Sequence, residues 1–314
     1  MKISIIIPIY NEAESLPELW SVLRNVLENQ NYPWEVVFVD DGSTDKTFSV
    51  IQGIVKNTNE STFAIKLRRN FGQTAAIAAG IDHSDGEIII LMDADLQNDA
   101  TDIPLLLEKI NQGYDVVSGW RRNREDHFLT RTLPSRTANW LISWVTGVKL
   151  HDYGCTLKAY RREVITGFRI YGEMHRFIPA YAGYVGAKIA EVPVKHHSRK
   201  YGSTNYGLER IFKVILDLFT VKFLISYSHK PLYLFGGVGI LLFGVGIGIL
   251  LFLVTRRLVS GVSPYLSPLF PASTLFVLMG FQSILMGLIA ELLSRTYHEA
   301  QGKTTYTIQK IIGK

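Results

Sequence analysis

The last third of the chain restricts its folding more than any other feature. From Pro231 to Val254 no side chain ionises, and a helix rising about 1.5 Å per residue would carry that run across a hydrocarbon core of about 30 Å. A second uncharged stretch extends from Leu258 to Ala290. Pro264, Pro268 and Pro271 interrupt its start, which leaves 272–293, with Glu291 at its end, as the second span. Two buried core helices would be the other solution, but a soluble helix apolar on every side for this length is uncommon. Two spans form a hairpin, so the segments before and after it share one side of the bilayer. Lys222 and Lys230 precede it and Arg295, Lys303, Lys310 and Lys314 follow it, against Arg256 and Arg257 in the connection. Positive charge collects on the cytoplasmic side. The pattern predicts a multi-pass protein of the cytoplasmic (inner) membrane, with both termini and a tail at 294–314 in the cytoplasm.

The remaining residues suffice for one ample globular core, since the 314-residue chain is 47% apolar and single domains usually run to one or two hundred residues. A net charge of +5 and a pI near 9.1 suit anionic partners such as diphosphates or acidic lipid head groups, and equally an ordinary basic protein. No nucleic acid is expected among the partners. The single cysteine, Cys155, excludes an intrachain disulfide and a cysteine zinc site. His196 and His197 are adjacent and would point to opposite sides of a strand. The apolar start, Ile3 to Pro8, is too short for a secretion signal and is followed by Glu12 and Glu14, so it reads as a buried first strand.

The first half of the chain alternates short β-branched runs with amphipathic helical patterns, the mark of an α/β domain on a mainly parallel sheet, expected over 1–204, with a more mixed pattern from about 100 onward. Strands are expected at Ile3 to Ile7, Glu35 to Val39, Phe63 to Leu67, Glu87 to Met92, Asp115 to Gly119 and Lys188 to Val194. Between the first two, Leu16, Leu19, Trp20, Leu23, Val26 and Leu27 form one apolar helical stripe. Within 205–230, Ile211, Phe212, Val214, Ile215, Leu218, Phe219 and Phe223 mark one face of a juxtamembrane amphipathic helix, suited to the bilayer surface or to the soluble domain. Gly244 to Gly248 provides a small-residue face, either for the second span or for a homo-oligomer.

Acidic residues gather where these strands should end. After the fourth strand stands Asp93-Ala94-Asp95-Leu96-Gln97. In an extended chain residues two apart share a face, so both carboxylates can converge on one hard divalent cation such as magnesium or manganese. Asp40-Asp41-Gly42-Ser43 follows the second strand, with Ser43 placed to cap the next helix, and Pro8-Ile9-Tyr10-Asn11-Glu12 follows the first. Ligands of open α/β sheets bind beyond the carboxyl ends of strands, so these ends would share a crevice. Arg121, Arg122 and Arg124 form a basic run that a solvated surface would explain equally well. Trp140, Leu141, Ile142, Trp144 and Val145 suit either the membrane interface or a core.

In combination and order, Pro8 to Glu12, Asp40 to Asp45 and Asp93 to Gln97 resemble glycosyltransferase family 2, with its Rossmann-like GT-A fold. Asp152-Tyr153-Gly154-Cys155 with Leu157 to Arg162 is similar to the polyprenyl-phosphate sugar transferases of that family, among them bactoprenol glucosyltransferases and dolichol-phosphate mannose synthases. The resemblance implies inverting transfer of a hexose from a nucleotide-sugar donor to polyprenyl (undecaprenyl) phosphate. UDP-glucose is the favoured donor and GDP-mannose the second. It implies donor binding by Pro8, Tyr10, Glu12 and Asp40, and Mg2+ or Mn2+ with its diphosphate at Asp93, Asp95 and Gln97. Arg121, Arg131, Ser135 and Ser203 resemble acceptor-phosphate residues, and Arg199, in a segment resembling the family's mobile loop, would bridge donor and acceptor phosphates. Asp95, Asp152 and Arg199 would be catalytic, Asp152 either as a base or as an orienting group. The rivals are a processive polysaccharide synthase, whose Gln-x-x-Arg-Trp signature is missing, and a non-catalytic sugar-lipid carrier or flippase accessory.

Overall fold

The computed structural model describes residues 1–58, 61–122, 139–166 apart from 141 and 145, 174–200 apart from 199, and 231–300 with 305–314. The chain divides into two compact units, Met1–Leu218 with Thr304–Lys314, and Phe219–Lys303.

The first unit is built on an eight-stranded sheet of order β7-β5-β6-β4-β1-β2-β3-β8. Its strands are β1 (Ile3–Ile9), β2 (Trp34–Asp40), β3 (Thr62–Leu67), β4 (Ile88–Leu91), β5 (Val116–Trp120), β6 (Lys158–Arg161), β7 (Ile189–Pro193) and β8 (Ile308–Ile312). The pairs β1–β2, β1–β4, β2–β3 and β5–β7 are parallel, whereas β6 runs antiparallel to both β4 and β5, and β8 antiparallel to β3. All six expected strands are present with shifted ends. Two were not foreseen: β6, four residues bounded by Lys158 and Arg161, and β8, which lies in the expected tail beyond the second apolar helix.

Both faces of the sheet are covered, which explains why β1 is buried almost throughout and reads as a continuous apolar run. Ile5, Ile7 and Ile9 face a core shared with Leu16, Leu19, Leu23 and Leu27 of helix α1 (Leu16–Glu28), Ile51 and Val55 of α2 (Thr47–Lys56), and Leu106 and Ile110 of a fourth helix. On the other face, Ile6 lies against Gly80 of α3 (Gln73–His83), where a Cβ would sit 2.3 Å from the Ile6 side chain. The fourth helix is α4 (Ile103–Asn111), and α5 (Ile178–Tyr184) follows later in the chain. Pro17 opens α1, where the missing N–H has no helical partner to lose.

The second unit contains α6 (Pro231–Ser260) and α7 (Leu269–Ala300), of which 234–260 and 269–290 are long and apolar enough to cross a membrane. Their apolar side chains are mostly outside any core: Ile240, Leu241 and Leu251 are 60 to 69% exposed. A soluble core helix would bury such a surface. Pro271 falls in the first turn of α7, where an absent N–H is tolerated, so the helix starts at Leu269 rather than 272. It also runs past 293 to Ala300, and the expected tail at 294–314 ends as β8 of the first unit's sheet. The chain therefore leaves and rejoins a single folded unit around the two apolar helices.

The hairpin contact is made by glycines other than the expected pair. A Cβ at Gly239 would lie 2.8 Å from the Gly280 carbonyl, and one at Gly246 would lie 2.9 Å from that of Ser273, whereas Gly244 and Gly248 meet nothing within 4 Å. Ser283 adds a hydrogen bond between the helices by donating to the Phe235 carbonyl at 2.8 Å. The juxtamembrane helix expected at 205–230 lies outside the described residues.

Candidate active site

The sheet's carboxyl edge brings three acidic loops together because β4, β1 and β2 are parallel neighbours. Ile9 pairs in register with Asp40, so the loop from Tyr10 to Glu12 emerges beside the loop from Asp41 to Asp45. Asn11, at φ 55, turns the first loop in the left-handed region that asparagine tolerates. Its backbone N–H donates to the Ser43 hydroxyl at 3.0 Å, and its side-chain oxygen accepts from Thr44 N at 2.9 Å. Ser43 thus ties two loops and does not cap α2; Asp45 accepts from Thr47 N instead, at 2.9 Å. Gly42, at φ 69, is the other enforced turn, since a Cβ there would strike the backbone of Arg69 and Asn70. Asp41 accepts from the N–H groups of Phe71 and Gly72, at 2.8 and 2.9 Å, and so fixes the loop after β3 against the other two.

Asp40 is fully buried, with one carboxylate oxygen accepting from Ser43 N at 3.1 Å. The other has no hydrogen-bond partner among the described residues, with Lys66 Nζ 4.0 Å away. A buried, underused acceptor at a strand end invites an N–H donor from a ligand.

The second acidic centre does not arise from an extended strand. β4 stops at Leu91, and the chain bends through Leu96 at φ 61, a conformation costly for leucine. Beyond the strand, Asp93, Asp95 and Gln97 line one pocket, together with Pro8, Gln73, Arg121, Thr156, Lys158 and Arg176. Asp93 accepts from Gln73 Nε2 at 2.7 Å and from the Thr156 hydroxyl at 2.6 Å. Asp95 accepts from Gln97 N at 3.2 Å. Burial, and then the neighbouring charge of Asp95, push the Asp93 carboxyl up to about 6.

These oxygens fit a hard divalent cation, since a cation relieves the repulsion that raises Asp93 and leaves coordination positions for a diphosphate. No group of three or more histidine, cysteine, aspartate or glutamate side chains suited to a metal occurs among the described residues, so an ion at Asp93 and Asp95 would take further ligands from an amide such as Gln97 and from its substrate. The nearby Cys155 thiol is pushed by burial to about 11, so it stays protonated and offers no thiolate for a softer metal.

Across the pocket, Asp152 is buried and holds Arg121 in a two-pronged pair, with Nε to Oδ2 at 2.7 Å and Nη2 to Oδ1 at 2.9 Å. Gly154 N also donates to Oδ1 at 3.1 Å, and a Cβ on Gly154 would come 3.0 Å from Arg121 Nη2. The planar fork fixes the guanidinium's direction. Beneath it, Lys158 is 2% exposed and donates to the Tyr153 carbonyl at 2.9 Å; burial brings its ammonium down to about 8.

Pro8, Asp93, Asp95, Gln97 and Arg121 thus share a pocket, with Asp152 behind Arg121. Tyr10, Glu12 and Asp40 are not among its lining residues and stand at the adjoining ends of β1 and β2. Arg131, Ser135, Arg199 and Ser203 lie outside the described residues. The segment leading to Arg199 is nevertheless pinned to the acidic loop: His196 bridges Asn98, and His197 N donates to the Gln97 carbonyl at 3.0 Å. Sequence reasoning missed Gln73, Thr156 and Arg176, and gave no role to Lys158 although it lies in the quoted Leu157 to Arg162 segment. Gln73 follows the third parallel strand end, a position the same edge rule would have flagged; the others come from the late, weakly patterned half.

Residues 4–168 match the profile of the family described as Glycosyl transferase family 2. The chain is 40% identical over 314 residues to dodecaprenyl-phosphate galacturonate synthase of Rhizobium johnstonii, covering 99% of this chain and 93% of that protein. It is 38% identical over 313 residues to undecaprenyl-phosphate 4-deoxy-4-formamido-L-arabinose transferase of Shewanella sediminis, covering 99% and 92%. Among solved structures, glucosyl-3-phosphoglycerate synthase of Mycobacterium tuberculosis, in complex with Mn2+, uridine diphosphate and phosphoglyceric acid, superposes with a TM-score of 0.55 at 16% identity, over 73% of this chain and 81% of that one. At that identity the likeness concerns the fold, which is the GT-A arrangement.

Proposed function

Since the chain belongs to glycosyl transferase family 2, we propose that its pocket moves a pyranose from a nucleoside diphosphate to the phosphate of a polyprenyl lipid, at the cytoplasmic face of the membrane. The observation that carries this reading is the opposition, in one pocket, of the Asp93–Asp95 pair and the Asp152-held Arg121. One centre suits a cation and its diphosphate, the other a second phosphate. The full-length relatives named as polyprenyl-phosphate sugar transferases support the acceptor.

In this reading Asp40, with its underused oxygen, and Tyr10 and Glu12 beside it hold the nucleoside. Asp93, Asp95 and Gln97 hold Mg2+ or Mn2+, which when bound supplies charge neutralisation for the departing diphosphate. An oxygen of the lipid phosphate attacks the anomeric carbon from the face opposite the leaving group. The carbon–oxygen bond to the diphosphate breaks with its electron pair, and the configuration inverts. A phosphate monoester is largely ionised near neutrality, its second pKa lying near 6, so no strong base is required. Asp152 then serves by aiming Arg121 at the acceptor phosphate, and Arg199 bridges the two phosphates.

The motif resemblance favours UDP-glucose. A second reading, a uronate donor such as UDP-galacturonate, is supported by Lys158 and Arg176 in the pocket, which suit a sugar carboxylate, and by the printed name of the 40% identical relative. The chain before and after the two apolar helices belongs to one folded unit, which supports a hairpin.

The test is transfer of radiolabelled sugar to undecaprenyl phosphate, from a panel of UDP-glucose, UDP-galacturonate, UDP-4-deoxy-4-formamido-L-arabinose and GDP-mannose, with Mg2+ or Mn2+. Asp95→Ala is expected to lower transfer by at least about a thousandfold, about 4 kcal/mol of barrier. Asp152→Asn, which keeps an acceptor for Arg121, is expected to retain measurable turnover with a raised KM for the lipid. Complete loss in a folded Asp152→Asn protein would make Asp152 the base, and donor binding without labelled lipid would favour a non-catalytic carrier.

A further inference from the structure

The pocket does not end at the acidic pair. It extends along β6, where Lys158 pairs in register with Leu91 at the end of β4, and Tyr160 pairs with Ile89 two residues deeper. Strand alternation puts both side chains on one face. From α3, Gln73 and, one turn later, Ile77 line the same pocket. Arg176 joins them from the turn Met174–Arg176, which a 2.7 Å hydrogen bond between the Thr74 hydroxyl and His175 Nδ1 holds to α3. Two buried polar groups in this recess are unmet. The ammonium of Lys158 makes no ion pair among the described residues, and its one hydrogen bond there goes to the Tyr153 carbonyl. Asp152, the acid nearest in sequence on that side, already gives both oxygens to Arg121. Two of the three ammonium N–H groups therefore have no acceptor. The Tyr160 hydroxyl, fully buried, also lacks a partner among the described residues. A buried charge is costly unless it is both paired and hydrogen-bonded, so the recess calls for a ligand that brings acceptors and negative charge.

We propose that Lys158 and Tyr160, with Arg176, form the subsite for the donor's sugar and select a ring that carries a carboxylate. The sheet order places it. In the run β6-β4-β1-β2, Asp40 ends β2 and stands where the nucleoside is held, and Asp93 and Asp95 follow β4 and hold the cation with its diphosphate. The sugar hangs from the far phosphate, so it extends away from β2, towards β6. A carboxylate there compensates the Lys158 ammonium through a charge-assisted hydrogen bond and has lone pairs left for the Tyr160 hydroxyl and the Arg176 guanidinium. The hydroxymethyl group of a neutral hexose can accept hydrogen bonds but supplies no charge. The proposal rests on the nucleotide-sugar reading above and assigns the residues that choose among the donors it leaves open. It does not depend on the lipid acceptor.

The test is binding rather than turnover: calorimetric titration of the full-length protein in detergent, with Mn2+, by UDP and by two matched pairs of donors. UDP-galacturonate and UDP-galactose differ only in a carboxylate against a hydroxymethyl group, as do UDP-glucuronate and UDP-glucose. The unaltered protein is expected to bind the acidic member of at least one pair about tenfold more tightly. Lys158→Met, close to lysine in volume, should remove that preference and leave the affinity for UDP itself within about twofold. Equal affinities within both pairs in the unaltered protein would overturn the proposal. So would a loss of UDP affinity in Lys158→Met as large as the loss for UDP-galacturonate, since Lys158 would then serve the diphosphate. Should Lys158→Met not fold, Tyr160→Phe, which removes only an unpartnered hydroxyl, carries the same comparison. A preference lowered by about threefold supports the subsite, and an unchanged one overturns it. Acid-selective binding without labelled lipid in the transfer assay would remove the acceptor reading and leave the subsite standing. Labelling from neutral donors alone would do the reverse.

Discussion

Asp93 shows how the candidate site holds a charge that its fold disfavours. Its carboxyl accepts from Gln73 and Thr156, yet burial and Asp95 raise it to about 6, against roughly 3.9 for an ordinary aspartate. Without metal, the folded state therefore binds that proton more tightly than the unfolded chain. This stabilising contribution is fully present below the unfolded value and is lost as pH rises through about 6. A bound cation reverses the preference, because it requires the carboxylate. Mn2+ is thus expected to raise Tm above pH 6 and to do so progressively less as pH falls below it. Asp93→Asn should raise the Tm of the metal-free protein above pH 6 and remove the metal response. Thermal melts across pH with and without Mn2+ check this, and a metal response that persists in Asp93→Asn would remove Asp93 from the ion's ligands. The two aspartates were legible in the sequence as a pair at a strand end. Their setting was not, since Gln73 lies 20 residues before Asp93 and Thr156 lies 63 after it.

The apolar helices α6 and α7 illustrate what periodicity conveys and what it omits. Their existence follows from length and the lack of charge, but the small-residue spacing of Gly244 and Gly248 does not reveal which side meets the partner helix. Contact instead uses Gly239 and Gly246, seven residues apart, against Gly280 and Ser273. Gly246→Leu is expected to push the pair apart, because the added side chain meets backbone as near as 2.9 Å. Gly244→Leu projects into open surroundings and should leave the pair intact. Cysteine cross-linking between the two helices in membranes distinguishes the variants, and equal loss in both would refute this packing. If Gly244 and Gly248 instead serve a homo-oligomer, Gly244→Leu should reduce chemical cross-linking between chains while leaving the hairpin unaffected.

At the scale of the whole molecule, the returning strand β8 is the least expected feature. It covers the edge of β3 that would otherwise present unpaired backbone groups, and Tyr306 donates to Asp82 at 2.8 Å beside it. Tyr306→Phe should lower stability by about 1 kcal/mol, a shift of about 2–4 °C, while deletion of 305–314 should cost more and promote aggregation. Melting of the full chain in detergent measures both, and an unchanged Tm on deletion would mean that β8 does not hold the sheet edge. The sequence by itself determined the α/β class, the six strands with strong patterns, the two apolar helices of spanning length and the acidic strand ends, because each depends on residues close together in the chain. Only the tertiary structure decided that β6 and β8 complete the sheet, that Asp152 aims Arg121, and that Trp140 and Trp144 face outward. Those depend on which distant segments meet, and no local pattern encodes that.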